Sequence, residues 1–130
     1  TNVDRTFKNT NLLIWKKELW LIDHGAAFYF HHGWDNWKAN AISPFPLIKD
    51  HVLLPKASKL SEVNTNFKAQ LNDTILGEIV NQIPEDWLIW EDIAITPDDI
   101  KEIYFQFLSI RLAHADVFLK QAQDARTTLI

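Results

Sequence analysis

The chain has 130 residues, 47% of them hydrophobic, with six Trp and eight Phe; this is too apolar for a disordered chain and enough to bury about two thirds of its unfolded surface around one core. It contains no Cys, which excludes disulfides, thiolate metal sites and thiol nucleophiles together and fits a reducing cytoplasm. A net charge of −4, with 13 Lys and Arg scattered along the chain, provides no basic stripe for nucleic acid, and no apolar run approaches the roughly 20 residues of a membrane span.

These features predict a soluble, cytoplasmic single domain over residues 1–130, with neither nucleic acid nor a membrane as partner. Residue 1 is Thr, the chain has no Met, and a basic-then-apolar leader pattern is missing. A fragment of a longer protein is the expectation.

In chain order, a polar stretch over residues 2–9, NVDRTFKN, precedes two short runs rich in Leu, Ile and Trp around Lys16-Lys17-Glu18. They predict a β-hairpin over residues 11–22 with Trp15 and Trp20 beside the turn. The turn type stays open, because neither Asn-Gly nor Asp-Gly marks the tip. A short helical stretch is expected about residues 26–30, then irregular chain to residue 46. Residues 47–54 read as a short helix closed by Pro55, which cannot continue the backbone ladder. Ser58 is a good N-cap for a helix to about residue 71, with Leu60, Val63, Phe67 and Leu71 as its apolar stripe. The next helix starts near Asn72 or Asp73, buries Ile75, Leu76, Ile79 and Val80, and stops before Pro84, which leads a further turn. Last, Thr96-Pro97-Asp98-Asp99 supplies a cap, a proline at the first helical position and acids at the positive end of the dipole. An apolar period of three and four follows for about 28 residues. The Trp residues at 15/20, 34/37 and 87/90 are expected in the core. The fold class predicted is α+β, mainly α: a short N-terminal β-hairpin on four or five helices, the long C-terminal helix the longest.

The chemistry concentrates near the start. Asp4 and Asn9 lie five positions apart ahead of the hairpin, and Asp23 closes it in LIDHG. Because a hairpin returns the chain beside its own origin, these three oxygen-bearing side chains can converge. Phosphoryl transfer needs such a set: a carboxylate for the acceptor hydroxyl, and hard oxygen ligands for Mg²⁺ against the phosphates. The protein-kinase signature has the same Asp-to-Asn offset and a downstream Asp-Phe-Gly; here His24 replaces the Phe and Gly25 keeps the third place. Asp23 also has an ordinary use, as a turn residue at a strand end.

On these residues the sequence resembles the HipA-like kinases, distant relatives of protein and lipid kinases. NVDRTFKN is similar to their catalytic loop and LWLIDHG to their Mg²⁺-binding segment; IKDHVLLP and IPEDWL resemble their helical C-lobe more loosely. The resemblance implies Asp4 as catalytic base, Asn9 and Asp23 as Mg²⁺ ligands, and Arg5 and His24 as further residues of the cofactor site. It implies ATP and Mg²⁺ as cofactors of the intact protein and a hydroxyl phosphoacceptor, a protein Ser or Thr among the candidates. Such a kinase also needs a phosphate-covering loop and a strand-borne lysine ahead of the catalytic loop. With Gly only at 25, 33 and 77, the chain reads as a C-lobe whose partner is an absent N-lobe, and by itself it is expected neither to hold the cofactors tightly nor to be active.

Two other classes compete: a non-catalytic helical interaction module retaining kinase remnants, and a metal hydrolase built on Asp4, Asp23 and nearby histidines. The latter lacks a His-x₃-His helix motif. The adjacent His31 and His32 point in different directions on most backbones, so they predict no metal site, and His51 and His114 read as packed or surface residues on helices.

Overall fold

The computed structural model describes residues 2, 4–32, 34–90 and 94–129. Helix, α and 3-10 together, takes 64% of them, beside one two-stranded antiparallel sheet near the N-terminus. The α+β, mainly α expectation holds.

Strands β1 (Leu12–Trp15) and β2 (Glu18–Leu21) pair Leu12 with Leu21, Leu13 with Trp20, Ile14 with Leu19 and Trp15 with Glu18. Trp15 therefore flanks the turn, whereas Trp20 sits two pairs away from it. Lys16 and Lys17 carry φ of 50° and 67°, the positive values that a type I′ turn needs at both central residues. That turn matches the twist of the strands, so strand pairing holds two lysines where Asn-Gly would sit without strain.

A 3-10 segment, Gly25–His32, covers the expected helical stretch and is broken at Phe28 (φ −111°, ψ 66°). The irregular chain expected beyond it is instead a 3-10 turn, Trp34–Asn36, and helix α1 (Trp37–Ile42). Six residues are too few to nucleate a helix alone or to display a period. The helix exists because Ala41 is buried against α4 (Pro97–Ala113) and Arg111 of that helix donates to Asn40 O and Ala41 O, capping it from outside.

The single helix expected over residues 47–54 is two 3-10 turns, Pro46–Asp50 and Leu54–Lys56. The backbone turns extended at His51 (φ −69°, ψ 124°) to bridge Thr6, and Pro55 opens the second turn instead of ending the first. Helix α2 (Leu60–Gln70) is entered through Lys59, so Ser58 is not its cap. Its stripe is only partly covered: Leu60 and Leu71 are half-buried, Val63 and Phe67 exposed. Helix α3 (Asp73–Asn81) follows expectation more closely. Asn72 caps it by accepting from Ile75 N at 3.0 Å, and Leu76 and Val80 are buried, although Ile79 faces out. Pro84 leads the 3-10 turn Glu85–Leu88 as expected.

The long terminal helix is two helices. A capping box joins Thr96 and Asp99 at the start of α4, which runs 17 residues; the chain then breaks at His114 (φ −100°, ψ 22°) and α5 (Ala115–Thr127) continues for 13. The last helix is thus not the longest. The apolar period stays in phase through the break, which is why spacing alone reads one helix. The break lets α5 lie on α2 and on the Pro46–Asp50 turn, burying Ala115 and Ala122.

Phe30, Ala41, Val80, Leu88, Ile100, Tyr104 and Phe107 form the core. Its aromatic centre stacks Phe28 on Tyr104 at 5.3 Å and sets Phe30 against Phe107 at 4.4 Å. Trp34, Trp37 and Trp90 pack around this centre, but Trp15, Trp20 and Trp87 are exposed, contrary to expectation. His31 joins the centre, stacked on Trp34 at 5.1 Å. Gly33 and the side chain of His32 lie outside the described residues. Among the described residues no helix is long and apolar enough to cross a membrane.

Candidate active site

The chain before the hairpin is an open loop folded back by its own side chains. Thr6 N donates to Asn9 O at 2.9 Å and Asn9 N to Thr6 Oγ1 at 3.3 Å, a tight turn that carries Asn9 back over Asp4. Asn9 Nδ2 then donates to Asp4 Oδ2 at 2.8 Å. The two residues picked out by their five-residue offset are thus in direct contact.

Asn11 completes the loop. It is buried, with φ of 47°, a left-handed conformation that Asn tolerates better than other side-chain-bearing residues. From there its Nδ2 donates to Asp4 O at 2.8 Å and, more weakly, to Asp4 Oδ2 at 3.3 Å. Two carboxamides therefore fix the half-buried Asp4 carboxylate through one oxygen. Held in this way, it can accept a hydrogen bond from an incoming hydroxyl without first losing side-chain freedom.

Arg5 joins this loop to the far end of the hairpin. Only 6% exposed, it donates through Nη1 to Asn11 O at 2.5 Å and makes a long 3.5 Å contact from Nη2 to His24 Nδ1. His24 Nε2 lies 3.1 Å from Leu21 O. A carbonyl only accepts, so Nε2 bears the proton and Nδ1 is left to receive Arg5. Asn2 adds a second link: its Nδ2 donates to Asp23 O at 2.9 Å while its Oδ1 accepts from Asp4 N at 2.9 Å. The two motifs separated by the hairpin are brought together.

Asp23 is exposed and in the left-handed region (φ 50°), with Gly25 N at 3.4 Å from its Oδ1. The turn role read from sequence is real, and it leaves the carboxylate at the surface. Asn9 spends its N–H₂ on Asp4, so its amide oxygen is the end left for a cation. Asn9 and Asp23 thus present hard oxygens of the kind Mg²⁺ takes, with its remaining positions usually filled by phosphate and water. Among the described residues no group of three or more His, Asp and Glu gathers as a metal site.

Sequence reasoning missed Asn2, Asn11 and His51 here. Asn2 and Asn11 had a faint signal: carboxamides beside a tight loop commonly bond its backbone, and Asn tolerates positive φ. His51 had none, because its link to Thr6 spans 45 residues of chain. Compared with known proteins, the chain matches no family model, no curated protein and no solved structure.

Proposed function

We propose that this chain is the catalytic-loop half of a cytoplasmic ATP- and Mg²⁺-dependent kinase of the HipA-like type, transferring phosphate to a hydroxyl acceptor such as a protein Ser or Thr. The observation that carries the reading is the buried Arg5, which ties the Asp4–Asn9 loop to the Asp-His-Gly segment through Asn11 and His24. Asp4 would orient the acceptor hydroxyl and take its proton. Asn9 and Asp23 would hold Mg²⁺, which when bound neutralises the charge of the phosphates. Arg5 and His24 serve the cofactor site by keeping these residues together. Gly occurs only three times in the sequence, so the loop that covers the phosphates is assigned to a lobe outside it.

A second reading, a non-catalytic interaction module, is favoured by the hairpin. Leu13, Ile14, Trp15, Leu19, Trp20 and Leu21 are all about half exposed or more, and an uncovered two-stranded hairpin is marginal in water.

ATP turnover separates the two. The 130 residues alone should show none, because catalysis of phosphoryl transfer is mostly positioning and charge stabilisation, and much of both comes from the covering lobe. Joined to that lobe, the protein should turn over ATP with Mg²⁺ and lose activity by about 100-fold or more on Asp4→Ala or Asp23→Ala. Undiminished turnover with Asp23→Ala would remove the kinase assignment.

A further inference from the structure

The loop carrying Asp4 has no regular structure, and its backbone leans on residues 51–53. Thr6 and His51 form an antiparallel bridge, and Val52 N donates to Arg5 O at 2.9 Å. His51 is also where two turns meet, its N donating to Ile48 O at 3.0 Å and its O accepting from Leu54 N at 2.9 Å. The imidazole closes this junction: Leu53 N donates to its Nδ1 at 3.1 Å. A backbone N–H can only donate, so Nδ1 carries a lone pair and the Nε2-protonated neutral tautomer is the one that fits.

We propose that His51 is a positioning residue for the Asp4 loop, seating it only while the imidazole is neutral, so that mild acid releases the loop and turns the site off. Calling that loop catalytic rests on the kinase reading; the coupling of loop to ring does not.

Protonation at Nδ1 would set an N–H against the N–H of Leu53, and it would place a second cation near the buried Arg5. Burial first, and the Arg5 guanidinium second, hold the pKa of His51 below the ordinary 6.5. The other charges nearby are engaged or exposed. Asp4 is held by Asn9 and Asn11. Lys49 and Asp50 of its own turn and Lys56 of the next are exposed. On α5, which packs on the Pro46–Asp50 turn, Lys120 pairs with Asp124, Asp116 pairs with Lys68, and Arg126 lines the cleft beside residues 57–62.

The test is a pH titration of the full 130-residue chain followed by ¹⁵N-resolved NMR, with His51→Asn alongside. The Asn side-chain oxygen can take over as acceptor for Leu53 N but cannot titrate. In the wild type the His51 ring should titrate with a midpoint below 6.5, and the amides of Arg5, Thr6, Val52 and Leu53 should move with that same midpoint. In His51→Asn those amides should hold their neutral-pH positions across the range. Loop amides that ignore the His51 midpoint, or that still titrate in His51→Asn, overturn the proposal. Because the readout is the loop itself, an inactive kinase leaves a positive result standing, and a loop indifferent to His51 leaves the ATP test to decide the kinase reading.

Discussion

Asn11 shows how much one side chain organises. Its Nδ2 holds Asp4, and its carbonyl accepts both Arg5 Nη1 and Ile22 N, all from a backbone with φ of 47°. Replacing it tests two terms at once. Asn11→Ala loses the amide donor to a part-buried carbonyl, at about 1 to 3 kcal/mol, and puts a less tolerant residue in the left-handed region for roughly 1 kcal/mol more. Asn11→Gly loses the same donor but relieves the backbone. Urea unfolding should therefore rank the wild type above Asn11→Gly and Asn11→Gly above Asn11→Ala; an alanine variant as stable as the glycine one would mean that the positive φ costs nothing here. At this scale Asp4, Asn9 and Asp23 could be picked out as candidates, because their offset and order form a pattern in the sequence. Asn11 gave only the faint signal of a carboxamide beside a tight loop, just ahead of the strand at Leu12.

Among the elements, α4, like α3 with its Asn72 cap, has a beginning that can be read without the structure. The Thr96 hydroxyl accepts from Asp99 N at 3.2 Å and the Asp99 carboxylate accepts from Thr96 N at 3.3 Å, so each satisfies the other's orphan donor. Thr96→Ala should cost about 1 kcal/mol in chemical denaturation, and Thr96→Ser should recover most of it. A loss no larger than that of an exposed mid-helix substitution would show that α4 is held by its buried face alone. The end of the same helix was not legible. His114 interrupts a continuous apolar period, and the break serves the docking of α5 on distant turns. Helix α1 is the complementary case, a short element with little signal of its own that is capped from outside by Arg111.

For the molecule as a whole, the alkaline limit of stability should be set at its centre. Tyr104 is buried against Phe28, and burial pushes its pKa up to about 12 from 10. The folded state thus holds the phenol proton more tightly than the unfolded chain does. The stability this represents is fully present below pH 10 and is lost as pH rises towards 12, where the unfolded chain has already ionised. Between those values the denaturation midpoint of the wild type should fall more steeply than that of Tyr104→Phe. Parallel declines in the two proteins would place the alkaline limit elsewhere.

What the sequence determined by itself is an apolar content that requires a core, a hairpin between two apolar runs, and a capping box ahead of a helical period. The hairpin and the capping box depend on spacing within a turn or two of backbone, where chain geometry alone decides which groups can meet. The tertiary structure decided which of these pieces touch. Arg5 reaches His24 across the hairpin, Thr6 bridges His51, and Arg111 caps Asn40 and Ala41 from 70 residues away. Those contacts exist because collapse of the aromatic core brings remote backbone groups within bonding distance, and a buried donor or acceptor left unpaired costs more than the ordering needed to pair it.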